Sequence, residues 1–422
     1  MVGRLGYDAA KQPFHSANVM KLIVLGAGVI GITSAWYLAR AGHRVTVVER
    51  RNGPALETSF ANGGQISVSH AVPWANPDAP RELIDWLPRE DAPLRFRLRA
   101  DWRQWWWGAR FLYECLPGRS RRNAQTILEL ALDSQRALRS LRSELALDFD
   151  HRSAGILSLY ETPRAYEEAL GRLELLGPRV QRVAKSADEC VAIEPALAGR
   201  RAPLAGGIYA PGDESGDVHR FTVALAERCV ERGVDFRYGW SVEGLREANG
   251  RIDGVTVRDV HGREDVLRAD GYVLALGAWS PLLARSLRLE LSVYPVKGYS
   301  ITLPVRGGDV APRVSLTDEE HKLVFSRLGA RLRVAGTAEL AGYDQRVDEA
   351  RCRLILDRTL AWFPHAGDTT GLERWAGLRP ATPGNVPIIG RLRWSNLYFN
   401  TGHGTLGWTL ACGSAQRLAG LI

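Results

Sequence analysis

The segment Lys21 to Arg50, KLIVLGAGVIGITSAWYLARAGHRVTVVER, leaves the chain little choice of fold. Gly26, Gly28 and Gly31 stand in the spacing G-x-G-x-x-G, directly after an apolar run and at the mouth of a stretch with helical periodicity. In such a strand–turn–helix, the first glycine permits the tight turn, the second lets the backbone approach a pyrophosphate, and the third brings helix and strand together. The helix N-terminus adds free N–H groups and the positive end of its dipole. Glu49 closes the next apolar run, RVTVVE, where a carboxylate accepts hydrogen bonds from both ribose hydroxyls. That acid disfavours a 2′-phosphate and so disfavours NADP. The motif leaves NAD and FAD both open.

The remaining chain is organised in blocks. Its 422 residues suggest two or three domains. The segment RNGPALETSFANGGQISVSHAVPWANPDAP lacks periodicity and reads as a long functional loop. From Arg81 to Leu147 the spacing becomes helical, with Ile127, Leu128, Leu130, Leu132, Leu138 and Leu141 on one face. Short β-like runs follow, GILSLY and later VDFRYGWSV, IDGVTVRD and EDVLRADGYVLALGAWS, and suggest a β-meander returning to the strand YVLALG. Then come the sheet-like YPVKGYSITLP and KLVFSRLGARLRVAGTAEL, and a helix around RCRLILDRTLAWF.

An NAD dehydrogenase would continue as alternating strands and helices until its six-stranded sheet is complete. This chain leaves the sheet through a glycine-rich loop and returns late. Gly63 and Gly64 in ETSFANGGQIS, and Gly402, Gly404 and Gly407 in GHGTLGWT, offer backbone amides that can surround a flat polar ring.

The segments ALETSFANGGQIS, PWANP, EPAL, VYPVKGYSIT, GLRPATP and NTGHGTLGWTLACGS, in this order with the opening motif, resemble the D-amino-acid dehydrogenase small subunits, flavoproteins of the D-amino-acid oxidase superfamily. The resemblance implies an α/β fold with a discontinuous Rossmann-like domain binding FAD non-covalently, and a substrate domain of antiparallel sheet plus helices. It places the turn Leu25, Gly26, Ala27, Gly28, Val29, Ile30 and Gly31, with Glu49 and Arg50, on the ADP half. Thr58, Ser59, Asn62, Gly63, Gly277, Gly402, Gly404, Thr405, Leu406 and Gly407 then surround the flavin. Residues 20–80, 196–285 and 375–422 are assigned to the FAD domain and 81–195 and 286–374 to the substrate domain, with 1–19 an upstream extension. Two positions depart from the family: Ser69-His70 stands where Gly-Tyr is usual, and Gly384-Asn385 where Asp-Gly is usual.

The resemblance implies oxidation of D-amino acids such as D-alanine, with electrons passed to a quinone or another respiratory acceptor. Arg379, in the G-x-R-P segment, is the candidate for the substrate carboxylate, because a guanidinium grips a carboxylate through two parallel hydrogen bonds and keeps its charge. Tyr299 and Lys297 are weaker candidates for contacting substrate, and a structural role stays open for each, as it does for His403. No evident catalytic base is needed. The lone pair of a deprotonated amine can push a hydride from Cα to flavin N5, and the imine hydrolyses to a 2-oxo acid and ammonium. Oxidation of glycine, sarcosine or D-proline, and a nucleotide-binding module without turnover, are the rival readings.

The net charge is +8, carried mostly by arginine. No nucleic-acid motif accompanies it, so nucleic acid is not an expected partner. The five cysteines are widely spaced, which predicts neither disulfides nor a metal site. The run LRFRLRADWRQWWWGARFLYECL puts Leu98, Trp102, Trp105 or Trp106, Ala109 and Leu112 on one helix side. Tryptophan with arginine suits either packing on the domain's own sheet or an anionic membrane surface. The expected location is the cytoplasm, with attachment to the inner face of a bacterial inner membrane as the alternative.

Overall fold

The first strand, Lys21–Leu25, lies inside a six-stranded sheet in the order Ile388–Arg391, Leu397–Thr401, Gly271–Leu274, Lys21–Leu25, Arg44–Glu49, Asp235–Tyr238. All neighbours are parallel except the first pair. Helices pack on one face of this sheet and a small β-meander on the other, which is why Leu22 to Leu25 can be apolar without alternation and are fully buried. The computed structural model describes residues 19–422 apart from 87, 88, 90, 91, 98, 174 and 175; nearly all of the expected extension, and Leu98, lie outside the described residues. The run VDFRYGWSV divides at Gly239. Asp235–Tyr238 becomes the edge of the parallel sheet, and Ser241–Ala248 opens a three-stranded meander with Arg251–Arg258 and Glu264–Leu267.

A second, nine-stranded sheet runs Glu373–Ala381, Tyr294–Pro304, Arg331–Leu340, Leu323–Leu328, Ser315–Asp318, Ile156–Tyr160, Gly206–Ala210, Val183–Ser186, with Leu94–Phe96 added beside Arg331–Leu340. It is mostly antiparallel. Its outer face carries Tyr299, Ile301, Leu303, Leu316 and Phe325 into a core with Cys352, Ile355 and Trp362 of the helix Glu349–Trp362. Gly206–Ala210 and most of Glu373–Ala381 fall in or reach into segments assigned from sequence to the FAD domain, yet they pair here.

The helix Pro117–Leu145 also crosses the expected boundary. Its buried Ala137, Leu138 and Leu141 join Trp36, Phe221 and Trp408 in the core of the dinucleotide-binding sheet. It packs on the final helix, Gly407–Ala419, where a Cβ on Gly413 would stand 2.8 Å from Ser134 Cβ. The two helices approach this closely because both positions are small.

The tryptophan run forms the helix Trp102–Glu114, capped by Asp101 accepting from Arg103 N–H. Its buried side is Gln104 and Trp107, not the side read from spacing: Trp107 donates to Ala381 O at 2.9 Å and stacks on Phe111. Trp102, Trp105 and Trp106 are 54–56% exposed, and Arg103 and Arg110 lie over Trp102 and Trp106. Among the described residues no helix is long and apolar enough to cross a membrane, and all five cysteines are buried and unpaired.

Gly413→Val should drive the final helix off Pro117–Leu145 and destabilise the fold by about 1–3 kcal/mol through overpacking. Thermal unfolding of Gly413→Val beside Gly413→Ala measures it, with the larger side chain melting lower.

Candidate active site

The dinucleotide turn is held by backbone geometry that only glycine permits. Gly26 has φ +103°, and a Cβ there would lie 2.7 Å from Ala275 O; a Cβ on Gly31 would overlap Gly26 O. Gly28 precedes the helix Val29–Arg40, whose Val29 N–H is met by Ser59 Oγ at 3.1 Å. Leu25 ends the strand, and Ile30 follows Val29 in the first helical turn. Glu49 is buried and accepts from Ala27 N–H at 2.8 Å and Arg51 N–H at 2.9 Å, so the carboxylate braces the turn and keeps lone pairs for ribose hydroxyls. Arg50 lies over the Trp279 ring at 4.3 Å and pairs with Glu57 at 2.6 Å.

Three loops meet at the strand segment Leu378–Ala381. Thr58 Oγ1 donates to Leu378 O at 2.8 Å; Ala381 bridges to His403; and Thr401 Oγ1 donates to the carbonyl of Gly277, a residue whose Cβ would face Pro380. Gly402 and Gly404 flank His403, and Thr405, Leu406 and Gly407 carry the turn into the last helix. Asn62 and Gly63 are laid on the inner face of the nine-stranded sheet: Arg333 donates to Asn62 O and Ser326 to Gly63 O. Both ring nitrogens of His403 are buried with no hydrogen-bond partner among the described residues, and burial pushes this imidazole down to about 3. Orphaned polar atoms beside glycine-lined loops fit a bound ring with polar edges.

Arg379 points to the same inner face. A Cβ on Gly298 would collide with its guanidinium, so the bare glycine lets Arg379 cross the neighbouring strand. Its Nη1 donates to Thr337 O at 2.8 Å, and it has no carboxylate partner among the described residues. Burial pushes it down to about 10, leaving the cation intact at neutral pH. The structure does not bring Lys297 and Tyr299 to this place. Side chains alternate along Tyr294–Pro304, and these two face the outer side, where Tyr299 donates to Glu339 at 2.6 Å and Lys297 lies 3.9 Å from the same acid.

The departures from the family pattern have definite roles. Asn385 adopts φ +60°, a conformation asparagine tolerates, and its Oδ1 accepts from Trp74 N–H. Ser69 donates to Asp213 at 2.5 Å, and His70 meets Glu319 at 3.1 Å. Burial opposes the charge on His70, but the Glu319 hydrogen bond and charge outweigh it and raise its pKa. Asp213, Glu319, Arg333 and Thr337 were not singled out from sequence. Nothing local in the sequence marks them, and only contacts between distant segments bring them against Ser69, His70, Asn62 and Arg379.

Comparison with known proteins agrees with this geometry. A family model described as FAD dependent oxidoreductase matches residues 21–421. The chain is 54% identical over 404 residues to a D-amino acid dehydrogenase of Dechloromonas aromatica, covering 96% of this chain and 97% of that one. It belongs to the FAD-dependent oxidoreductases, in the group of the D-amino acid dehydrogenases. A second relative with that name, from Paramagnetospirillum magneticum, is 50% identical over 405 residues, 96% of this chain and 95% of that one. The fold is that of glycine oxidase from Bacillus cereus, with a TM-score of 0.72 at 22% identity over 95% of this chain and 94% of that one. The family's cofactor is FAD, and the glycine turn, Glu49 and the loops around Leu378–Ala381 fit it.

Because the folded pKa of His70 lies above its unfolded value, its stabilisation is full below about pH 6.5 and is lost as pH rises through the raised value. The Tm difference between wild type and His70→Gln should therefore be largest near pH 6 and shrink toward alkaline pH. A melting series across that range checks it.

Proposed function

We propose that this oxidoreductase deaminates D-amino acids, with small apolar ones such as D-alanine preferred, to 2-oxo acids and ammonium. Arg379 carries the reading: a half-buried guanidinium with no acidic partner among the described residues, beside the loops that fit the flavin, is placed to grip an anion, and a substrate carboxylate supplies one. Bound FAD supplies a two-electron acceptor for the Cα hydride. Gly26, Gly28, Gly31 and Glu49 would hold its ADP half, and Thr58, Ser59, Asn62, Gly63, Gly277 and the turn Gly402 to Gly407 its flavin half. Gripping the carboxylate from one side fixes which face of Cα meets the acceptor. His403, neutral at physiological pH, serves as a hydrogen-bonding group, not an acid. Lys297 and Tyr299 lie on the other sheet face, so the amine loses its proton to solvent before oxidation.

Electrons leave to an acceptor other than NAD, in our reading a quinone in an anionic membrane. The half-exposed Trp102, Trp105 and Trp106, with Arg103 and Arg110 stacked on two of them, give the chain a face suited to the lipid interface.

Arg379→Ala should keep FAD, judged by flavin absorbance, while kcat/KM for D-alanine falls about a hundredfold or more, the cost of removing one partner of a buried charge pair. Wild-type kcat/KM in that variant would remove the proposed anchor. Anionic vesicles should sediment the wild type at low salt and fail to sediment a Trp105→Ala/Trp106→Ala variant; no sedimentation of the wild type ends the membrane reading.

A further inference from the structure

The strand Arg331–Leu340 is interrupted by a β-bulge at the point where it faces Gly298. Lys297 pairs with Glu339 and Tyr299 with Gly336, so Thr337 and Ala338 together oppose one residue. Before the bulge the side chains alternate, with Arg333 and Ala335 inward and Val334 outward. After it Glu339 is outward beside Tyr299, and Leu340 is inward with Val296 and Ala381. The extra residue therefore puts Thr337 and Ala338 both on the inner face, the side of Arg379. Bulges recur next to active sites because they re-aim a side chain.

Thr337 is also in the left-handed region, at φ +52°, a conformation that β-branched residues seldom adopt. Glycine would fit there more easily. What the strained backbone does is visible: the Thr337 carbonyl accepts from Arg379 Nη1 at 2.8 Å, and Gly336 O lies 3.5 Å from Nη2. Threonine adds a hydroxyl whose residue is only 8% exposed and whose Oγ1 has no hydrogen-bond partner among the described residues. A buried hydroxyl without a partner is costly, so one next to the proposed carboxylate clamp points to a ligand that meets it.

We propose that Thr337 is a second substrate-binding residue, its carbonyl holding Arg379 in register and its hydroxyl donating a hydrogen bond to the carboxylate of the bound amino acid. This rests on the reading of Arg379 as the carboxylate clamp. The hydroxyl then takes a lone pair that the two guanidinium bonds leave free, and the strain at Thr337 is retained because a glycine there would carry no hydroxyl.

The test uses the FAD-loaded enzyme and propionate, which has the carbon skeleton of D-alanine without its amine. Binding of propionate is read by calorimetry, and KM and kcat for D-alanine are measured alongside, for Thr337→Val, Thr337→Ser, Thr337→Gly and Arg379→Lys. Thr337→Val should weaken propionate about tenfold and raise KM by a similar factor, as expected for one hydrogen bond to a charged group. Thr337→Ser should stay near wild type. Thr337→Gly should melt no lower than wild type yet bind as weakly as the valine variant, a split that a purely structural role would not produce. Wild-type affinity and KM in Thr337→Val and Thr337→Gly, with weakened binding in Arg379→Lys, would overturn the proposal and leave the clamp standing. Wild-type binding in Arg379→Lys would overturn the clamp and the proposal with it.

Discussion

The contact of Gly31 with the Gly26 carbonyl is the constraint on which the rest of the molecule depends. With no side chain at either position, the first helix closes onto the first strand, and Glu49 reaches back to the Ala27 N–H. That closure sets the helix N-terminus and the carboxylate beside one another at the glycine turn. The later returns of the chain build outward from this unit: Gly271–Leu274 pairs with Lys21–Leu25, and Leu397–Thr401 pairs in turn with Gly271–Leu274.

The candidate site lies where the two sheets face one another. The loop from Thr58 to Gly64 leaves the nucleotide-binding sheet and lies across the inner face of the other, held by Ser300, Ser326 and Arg333. Arg379 belongs to the second sheet yet shares Leu378–Ala381 with the turns around Gly277 and His403, which belong to the first. Its half-buried guanidinium has backbone carbonyls of Thr337 and Gly336 as partners and no acid among the described residues, so donors remain for an anion. The arrangement is coherent if an anion completes it.

Much of this was legible beforehand, and the failures share a cause. Gly26, Gly28, Gly31 and Glu49 declare themselves because their chemistry is local, confined to one strand, turn and helix. Lys297 and Tyr299 stood as weaker candidates for contacting substrate because they lie in the segment YPVKGYS, but a strand sends alternate residues to opposite faces, and the face is chosen by partners far away in sequence. The tryptophan helix misled in the same way: spacing placed Trp102 and Trp106 together, while contact with Tyr294 and Ala381 selected Trp107 as the buried one.

The sequence alone determined the dinucleotide turn, its acid, the strands that flank it and the family to which they belong, since these depend on residues within a few positions of one another. The tertiary structure decided which side of the second sheet carries Arg379, that the long helix Pro117–Leu145 joins the nucleotide-binding core, and that a bulge at Thr337 sets a strained residue against Arg379. Register and packing are settled by the whole set of long-range contacts, and no window of the sequence contains them.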